Sequence, residues 1–118
     1  MRIRLKVGER VLTAHLLDNE TARDFASLLP LTLRMNDLFR REKYGHLPRA
    51  LSTGGERAHS YEVGQLVYWS PGPDVAIFYR NDGQAIPDPG IIVLGNLDEG
   101  VEALQVSGAV SVGFEVVG

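Results

Sequence analysis

Near both ends of the chain every second residue is apolar and the residues between are not. Ile3, Leu5 and Val7 alternate with Arg2, Arg4 and Lys6; Val110, Val112, Phe114 and Val116 alternate with Ser111, Gly113 and Glu115. A period of two sends successive side chains to opposite faces of an extended strand, so each segment buries one face and wets the other. Helical spacing occurs in one clear stretch, Ala22, Phe25, Ala26 and Leu29. The chain is therefore confined to short strands joined by turns, with one brief helix: an all-β barrel or sandwich.

The punctuation agrees with the periodicity. Gly8-Glu9 offers a two-residue type II′ turn between the first strand and its partner, Val11 to Leu17. Asp18-Asn19 supplies a helix N-cap, Glu20 and Asp24 lie near the positive end of the helix dipole, and Pro30 forbids continuation. Leu31, Leu33 and Met35 begin another strand. Residues 36–63 are the least regular part, with Leu38, Phe39 and Tyr44 as apolar anchors and Pro48, Gly54 and Gly55 as breaks. A loop of this length either packs on itself or carries function. Leu66–Trp69 and Val75–Tyr79 read as strands apolar on both faces, one lining a core and the other covered. Ile91–Leu94 adds a strand, residues 97–106 form an irregular link with one helical turn, and Val110–Val116 is the last strand. The reading gives about seven strands, with element boundaries good to about two to four residues.

Composition narrows function mainly by exclusion. The chain has 118 residues, enough for one domain over 1–118 that folds without covalent staples. The absence of cysteine removes disulfides, thiolate nucleophiles, zinc–thiolate sites and iron–sulfur clusters. No apolar run approaches the roughly 18 residues of a membrane helix, and the N-terminus lacks the apolar segment of a secretory signal. These features lead to the expectation of a mature cytoplasmic protein from Met1, with no membrane partner. A net charge of −3 argues against nucleic acid. His15, His46 and His59 lack metal-ligand spacing, no serine sits in Gly-x-Ser-x-Gly, and no glycine-rich phosphate loop is present. No metal and no cofactor is expected.

Charge is unevenly placed. All 12 basic residues lie at or before Arg80, whereas Asp82, Asp88, Asp98, Glu99, Glu102 and Glu115 follow it. Arg34, Arg40, Arg41, Lys43 and Arg49 cluster in sequence against Asp37 and Glu42. Two readings stand: a solvated surface of uneven charge, or a basic patch that attracts a small anion or acidic partner.

The order hairpin, helix, strand, long loop and strand pairs resembles the cyclophilins, where a hairpin's second strand runs into a helix. Here that segment is Val11-Leu12-Thr13-Ala14-His15-Leu16-Leu17-Asp18-Asn19 followed by Glu20-Thr21-Ala22-Arg23-Asp24-Phe25. The chain looks more closely like a bacterial and archaeal group of small cyclophilin-like proteins without assigned activity. The matching pieces include Leu28-Leu29-Pro30-Leu31-Thr32-Leu33, Tyr61-Glu62-Val63-Gly64-Gln65-Leu66-Val67-Tyr68-Trp69, Pro71-Gly72, Ile77-Phe78-Tyr79 and Ile92-Val93-Leu94-Gly95. Their order spans nearly the whole chain and implies a closed or nearly closed cyclophilin-like β-barrel. Cyclophilin isomerases carry a Phe-His-Arg segment and a Gln-Gly-Gly-Asp segment. Phe39-Arg40-Arg41 and Ser52-Thr53-Gly54-Gly55 occupy the corresponding region without matching, so the resemblance brings no catalytic residue.

The residues best suited to hold a ligand are Arg34, Asp37, Glu42, Tyr61 and Tyr79. An arginine fork binds carboxylate or phosphate, a carboxylate orients it, and a tyrosine at a barrel rim offers a ring and a hydroxyl. A salt-bridged loop accounts for the same charges without a ligand, and core packing accounts for most of Tyr61, Tyr68, Trp69, Phe78 and Tyr79. The leading expectation is a binding module for a small anion or an extended peptide, without prolyl isomerase activity. The alternatives are an enzyme, as a residual isomerase or an amidohydrolase-associated subunit, and a structural oligomer. The last would be a homodimer through Leu38, Phe39 or Trp69.

Overall fold

The computed structural model describes residues 1–117. Strand β1 (Arg2–Val7) and strand β2 (Arg10–Leu16) pair antiparallel with Leu5 opposite Leu12, and Gly8 takes φ +59° at the first turn position. Asn19 caps helix α1 (Glu20–Ser27): its Oδ1 accepts from Ala22 N at 2.8 Å while its Nδ2 donates to Val93 O at 3.0 Å. The cap thus ties the helix start to the sheet as well as satisfying one of its free N–H groups. On the apolar stripe Phe25 meets Phe114 edge-on, with ring centres 5.6 Å apart.

Strand β3 (Leu31–Leu38), β4 (Glu42–His46), β5 (Gln65–Trp69), β6 (Asp74–Phe78), β7 (Ile92–Leu97) and β8 (Val110–Val116) complete a closed barrel in the order β1-β2-β7-β5-β6-β4-β3-β8. A single 3-10 turn, Val101–Leu104, lies in the link before β8. The described residues form eight strands rather than seven. The additional one, β4, falls inside the stretch that reads as irregular in sequence. Its inward positions hold Lys43 and Gly45 instead of apolar residues, so it carries no period-two signal.

Two apolar clusters lie on opposite sides of the sheet. The interior one includes Leu5, Leu12, Met35, Tyr68, Ile77 and Phe114. The second sits outside the barrel on β5 and β6, where Val67, Ala76 and Phe78 pack with Tyr61, Ile86 and Ile91. Both faces of these strands are apolar because loop segments cover the outer one. The long loop packs on itself and on the barrel. Leu47 and Leu51 are buried, Leu51 N donates to Tyr68 Oη at 3.0 Å, and Asp24 accepts from Arg49 and from Ser52 N at 2.8 and 2.7 Å. Ala58 and Ile91 form an isolated bridge that ties the cover together.

Candidate functional site

Where the cover over the outer face stops, a groove of about 270 Å³ remains. Its floor is Val67, Ala76 and Phe78, and its walls include Tyr44, Trp69, Ile86, Pro87 and Ile91. Strand parity builds it: Glu42 and Tyr44 on β4 and Ala76 and Phe78 on β6 all point outward, with Glu42 opposite Phe78 and Tyr44 opposite Ala76.

One end of the groove is charged. The Arg41 guanidinium is buried among three rings, 5.3 Å from the centre of Tyr61 and 5.4 Å from those of Phe39 and Phe78. Its Nη2 donates to Glu42 Oε2 at 3.1 Å, and its Nη1 lies 3.8 Å from Asp82 Oδ1. Its Nε–H is buried without an acceptor. Tyr61 stacks on Phe78 at 4.0 Å and donates its hydroxyl to Asp82 at 2.8 Å. Burial pushes the Glu42 carboxyl above its ordinary value, although the adjacent Arg41 charge opposes the shift. Asp82 is held low, first by the Gln84 N–H and then by the Tyr61 hydroxyl. With Asp74 on the rim beside His46 at 3.3 Å, carboxylates outnumber the one cation here.

A second, polar cavity of about 620 Å³ lies between Asp37, Arg40, Tyr79, Arg80 and residues 105–108. Behind it Lys43 is wholly buried and uses its three donors on Asp37 Oδ1 at 3.1 Å and on the carbonyls of Val106 and Gly108 at 2.6 Å each. Asp37 also accepts a short hydrogen bond from Tyr79 Oη and one from Arg40 N at 3.0 Å. Burial would raise the Asp37 carboxyl, but these hydrogen bonds outweigh it and hold the group below its ordinary value. The Tyr79 phenol is pushed up to about 12, by burial first and then by its bond to Asp37.

Between the two cavities runs the turn Leu38–Arg41, closed by Arg41 N donating to Leu38 O at 3.0 Å. Its central residues, Phe39 and Arg40, both have positive φ, +58° and +51°. This is the type I′ signature, which Asn-Gly fills with little strain. A residue with a Cβ gives up roughly 1–2 kcal/mol in that region. Phe39 is 66% exposed and lines the groove, while Arg40 lines the polar cavity.

The five residues selected from sequence do not form one cluster. Glu42 lines the groove, and Tyr61 packs beneath its charged end. Asp37 and Tyr79 meet in the polar cavity. Arg34 lines neither cavity and is exposed on β3, opposite Ser111 of β8. Leu38, Phe39 and Trp69 all line the groove. Sequence reasoning missed Asp82 at the groove and Arg80 at the cavity, and it noted Arg41 and Arg40 only as members of a basic cluster, which was the one local signal for them. Among the described residues no group of three or more His, Asp or Glu is placed to hold a metal ion, and no helix is long and apolar enough to cross a membrane.

A family model described as the cyclophilin-like family matches residues 5–115. The chain is also similar to the hypothetical protein AF2241 from Archaeoglobus fulgidus, known from its solution structure. The two share 25% identity and a TM-score of 0.78, over 99% of this chain and 95% of that one. No curated protein matches.

Proposed function

The chain belongs to the cyclophilin-like family, and on that premise we propose that it is a binding module whose outer-face groove receives an apolar side chain of an extended peptide. The observation that carries this reading is the groove itself: apolar on its floor and walls, with a volume of about 270 Å³. That is at the lower edge of the roughly 300–1,000 Å³ of small-molecule sites, so it suits one or two side chains better than a whole cofactor. A peptide carbonyl entering at the charged end would supply the acceptor that Arg41 Nε–H lacks.

Trp69 is the only tryptophan and lies in the groove wall, so its emission reports occupancy directly. Capped heptapeptides with a central Leu, Phe or Pro are titrated against an Ala-centred control. Burying the larger side chain is worth about ten- to hundred-fold in affinity. Glu42→Ala and Tyr61→Phe should weaken binding, and Arg34→Ala should leave it unchanged. Equal responses to the Ala control and the apolar peptides, or none to any, would sink the reading.

A second reading, prolyl isomerisation, is favoured by one observation: Arg41 ends a Phe-x-Arg segment and lines an apolar groove beside aromatic rings. Against it, the guanidinium is already engaged by Glu42 and Asp82. A protease-coupled assay separates the two. The binding-module reading expects the uncatalysed rate, on the order of tens of seconds, whereas a faster rate that Arg41→Ala abolishes would establish the enzyme.

A further inference from the structure

The turn Leu38–Arg41 sets two side chains in a backbone conformation that neither favours, and it delivers one to each cavity. A connection needed only to join β3 to β4 would be better made with Asn-Gly. Strain held in place by the surrounding hydrogen bonds points to the side chains as what the position retains, and Arg40 is the one whose charge is unspent.

In the polar cavity the charges do not cancel. Lys43 and Asp37 neutralise one another at 3.1 Å, and the remaining oxygen of Asp37 is occupied by Arg40 N. Arg40 and Arg80 are both exposed, and among the described residues neither guanidinium makes a hydrogen bond or ion pair. Two arginines without a side-chain partner therefore line a cleft together with Gln105, Val106, Ser107 and Gly108, and among the described residues the saturated Asp37 is its one carboxylate. Both arginines line this cleft together with Tyr79. Paired arginines are the side chains best matched to a planar or tetrahedral oxyanion.

We infer that Arg40 and Arg80 form an oxyanion subsite beside the groove, so that the peptide it receives carries an acidic side chain, carboxylate or phosphate, close to its apolar anchor. This rests on the groove reading, with charge complementarity selecting the partner. Chain neighbours line the two cavities, Phe39 with Arg40 and Phe78 with Tyr79. At about 3.3–3.6 Å per extended residue, a side chain two or three positions from the anchor lies roughly 7–11 Å along the peptide from it, the spacing that the test peptides sample.

The test has two arms. In the first, inorganic phosphate alone is titrated into the labelled protein and backbone amide shifts are followed. The subsite predicts saturable shifts confined to residues near Arg40, Arg80, Ser107 and Gly108, abolished in Arg40→Gly and in Arg80→Ala. Diffuse shifts, or shifts that survive both variants, would overturn the subsite. In the second, peptides sharing one apolar anchor carry Ser, Glu or phosphoserine two or three residues away. The acidic peptides should bind at least about ten-fold more tightly than the Ser peptide at low salt, with phosphoserine ahead of Glu if phosphate is the natural group. Arg40→Gly should lose that preference, keep the affinity for the Ser peptide, and raise Tm by a few degrees, because glycine relieves the positive φ. Equal affinity for all three peptides would overturn the inference and leave the groove reading standing. Binding of phosphate with no peptide bound at all would overturn the groove reading and leave the oxyanion subsite.

Discussion

The Asp37–Lys43 pair shows how a single position can be committed to structure while lying against a functional surface. Both residues occupy inward positions, in phase with Met35 and Gly45 and directly opposite each other across β3 and β4. A buried ammonium is tolerated only when its donors are all used, as they are here. Asp37→Asn should therefore cost about 2–4 kcal/mol at neutral pH, somewhat under a wholly buried pair because the carboxylate is one-fifth exposed. The pH dependence has a definite sign. The folded-state pKa of Asp37 is depressed, so its contribution is fully present above the unfolded value of 3.8 and is lost as pH falls through the lower folded value. Urea unfolding at pH 7, 5 and 3 should show parent and variant far apart at the first two and converging at the third. A constant gap would mean that Asp37 does not act through its charge.

At the scale of the element, β7 carries a close approach of backbones. It pairs with β2 and β5, and its register against β5 shifts between Leu66 and Val67. Gly95 faces Leu16 on one side and Leu66 on the other, and a Cβ there would run into the His15 carbonyl and come within 2.9 Å of Leu16 Cα. Backbone cannot yield as a side chain does. Gly95→Ala should cost about 1–3 kcal/mol or more by overpacking. Gly113→Ala on β8 is the control: its nearest neighbour would be Thr32 Oγ1 at 3.5 Å, ordinary contact, so the change stays within about 0.5 kcal/mol. Similar losses for the two, read by urea denaturation, would remove close approach as the reason for glycine at 95.

For the whole molecule, closure is the decisive property. Among the described residues every strand has two neighbours, so the barrel has no open edge to recruit a strand from another chain. Association through a sheet edge is thereby disfavoured, whereas Phe39 leaves an apolar ring exposed at the groove. Sedimentation at micromolar concentration should give one species near 13.0 kDa. A dimer that Phe39→Ser returns to monomer would instead identify a second copy as the occupant of the groove.

The strand alternation of β1 and β8, the Gly8 turn, the Asn19 cap and the Phe25 stripe were legible in the sequence because each depends on residues a few positions apart. The two-sided apolar character of β5 and β6 was legible too, as a sign that something covers their outer face. Strand β4 was not, because burial at Lys43 is achieved by hydrogen bonds that it donates to Asp37, Val106 and Gly108 rather than by an apolar side chain. The candidate site was legible as a list of residue types and not as a place. Strand parity sends Asp37 inward and Arg34 outward, and the sheet then separates Asp37 and Tyr79 from Glu42 and Tyr61. Only the closed barrel, with its cover, brings Arg41, Tyr61 and Asp82 together, because that proximity is set by strand pairing and loop packing across the fold, not by spacing along the chain.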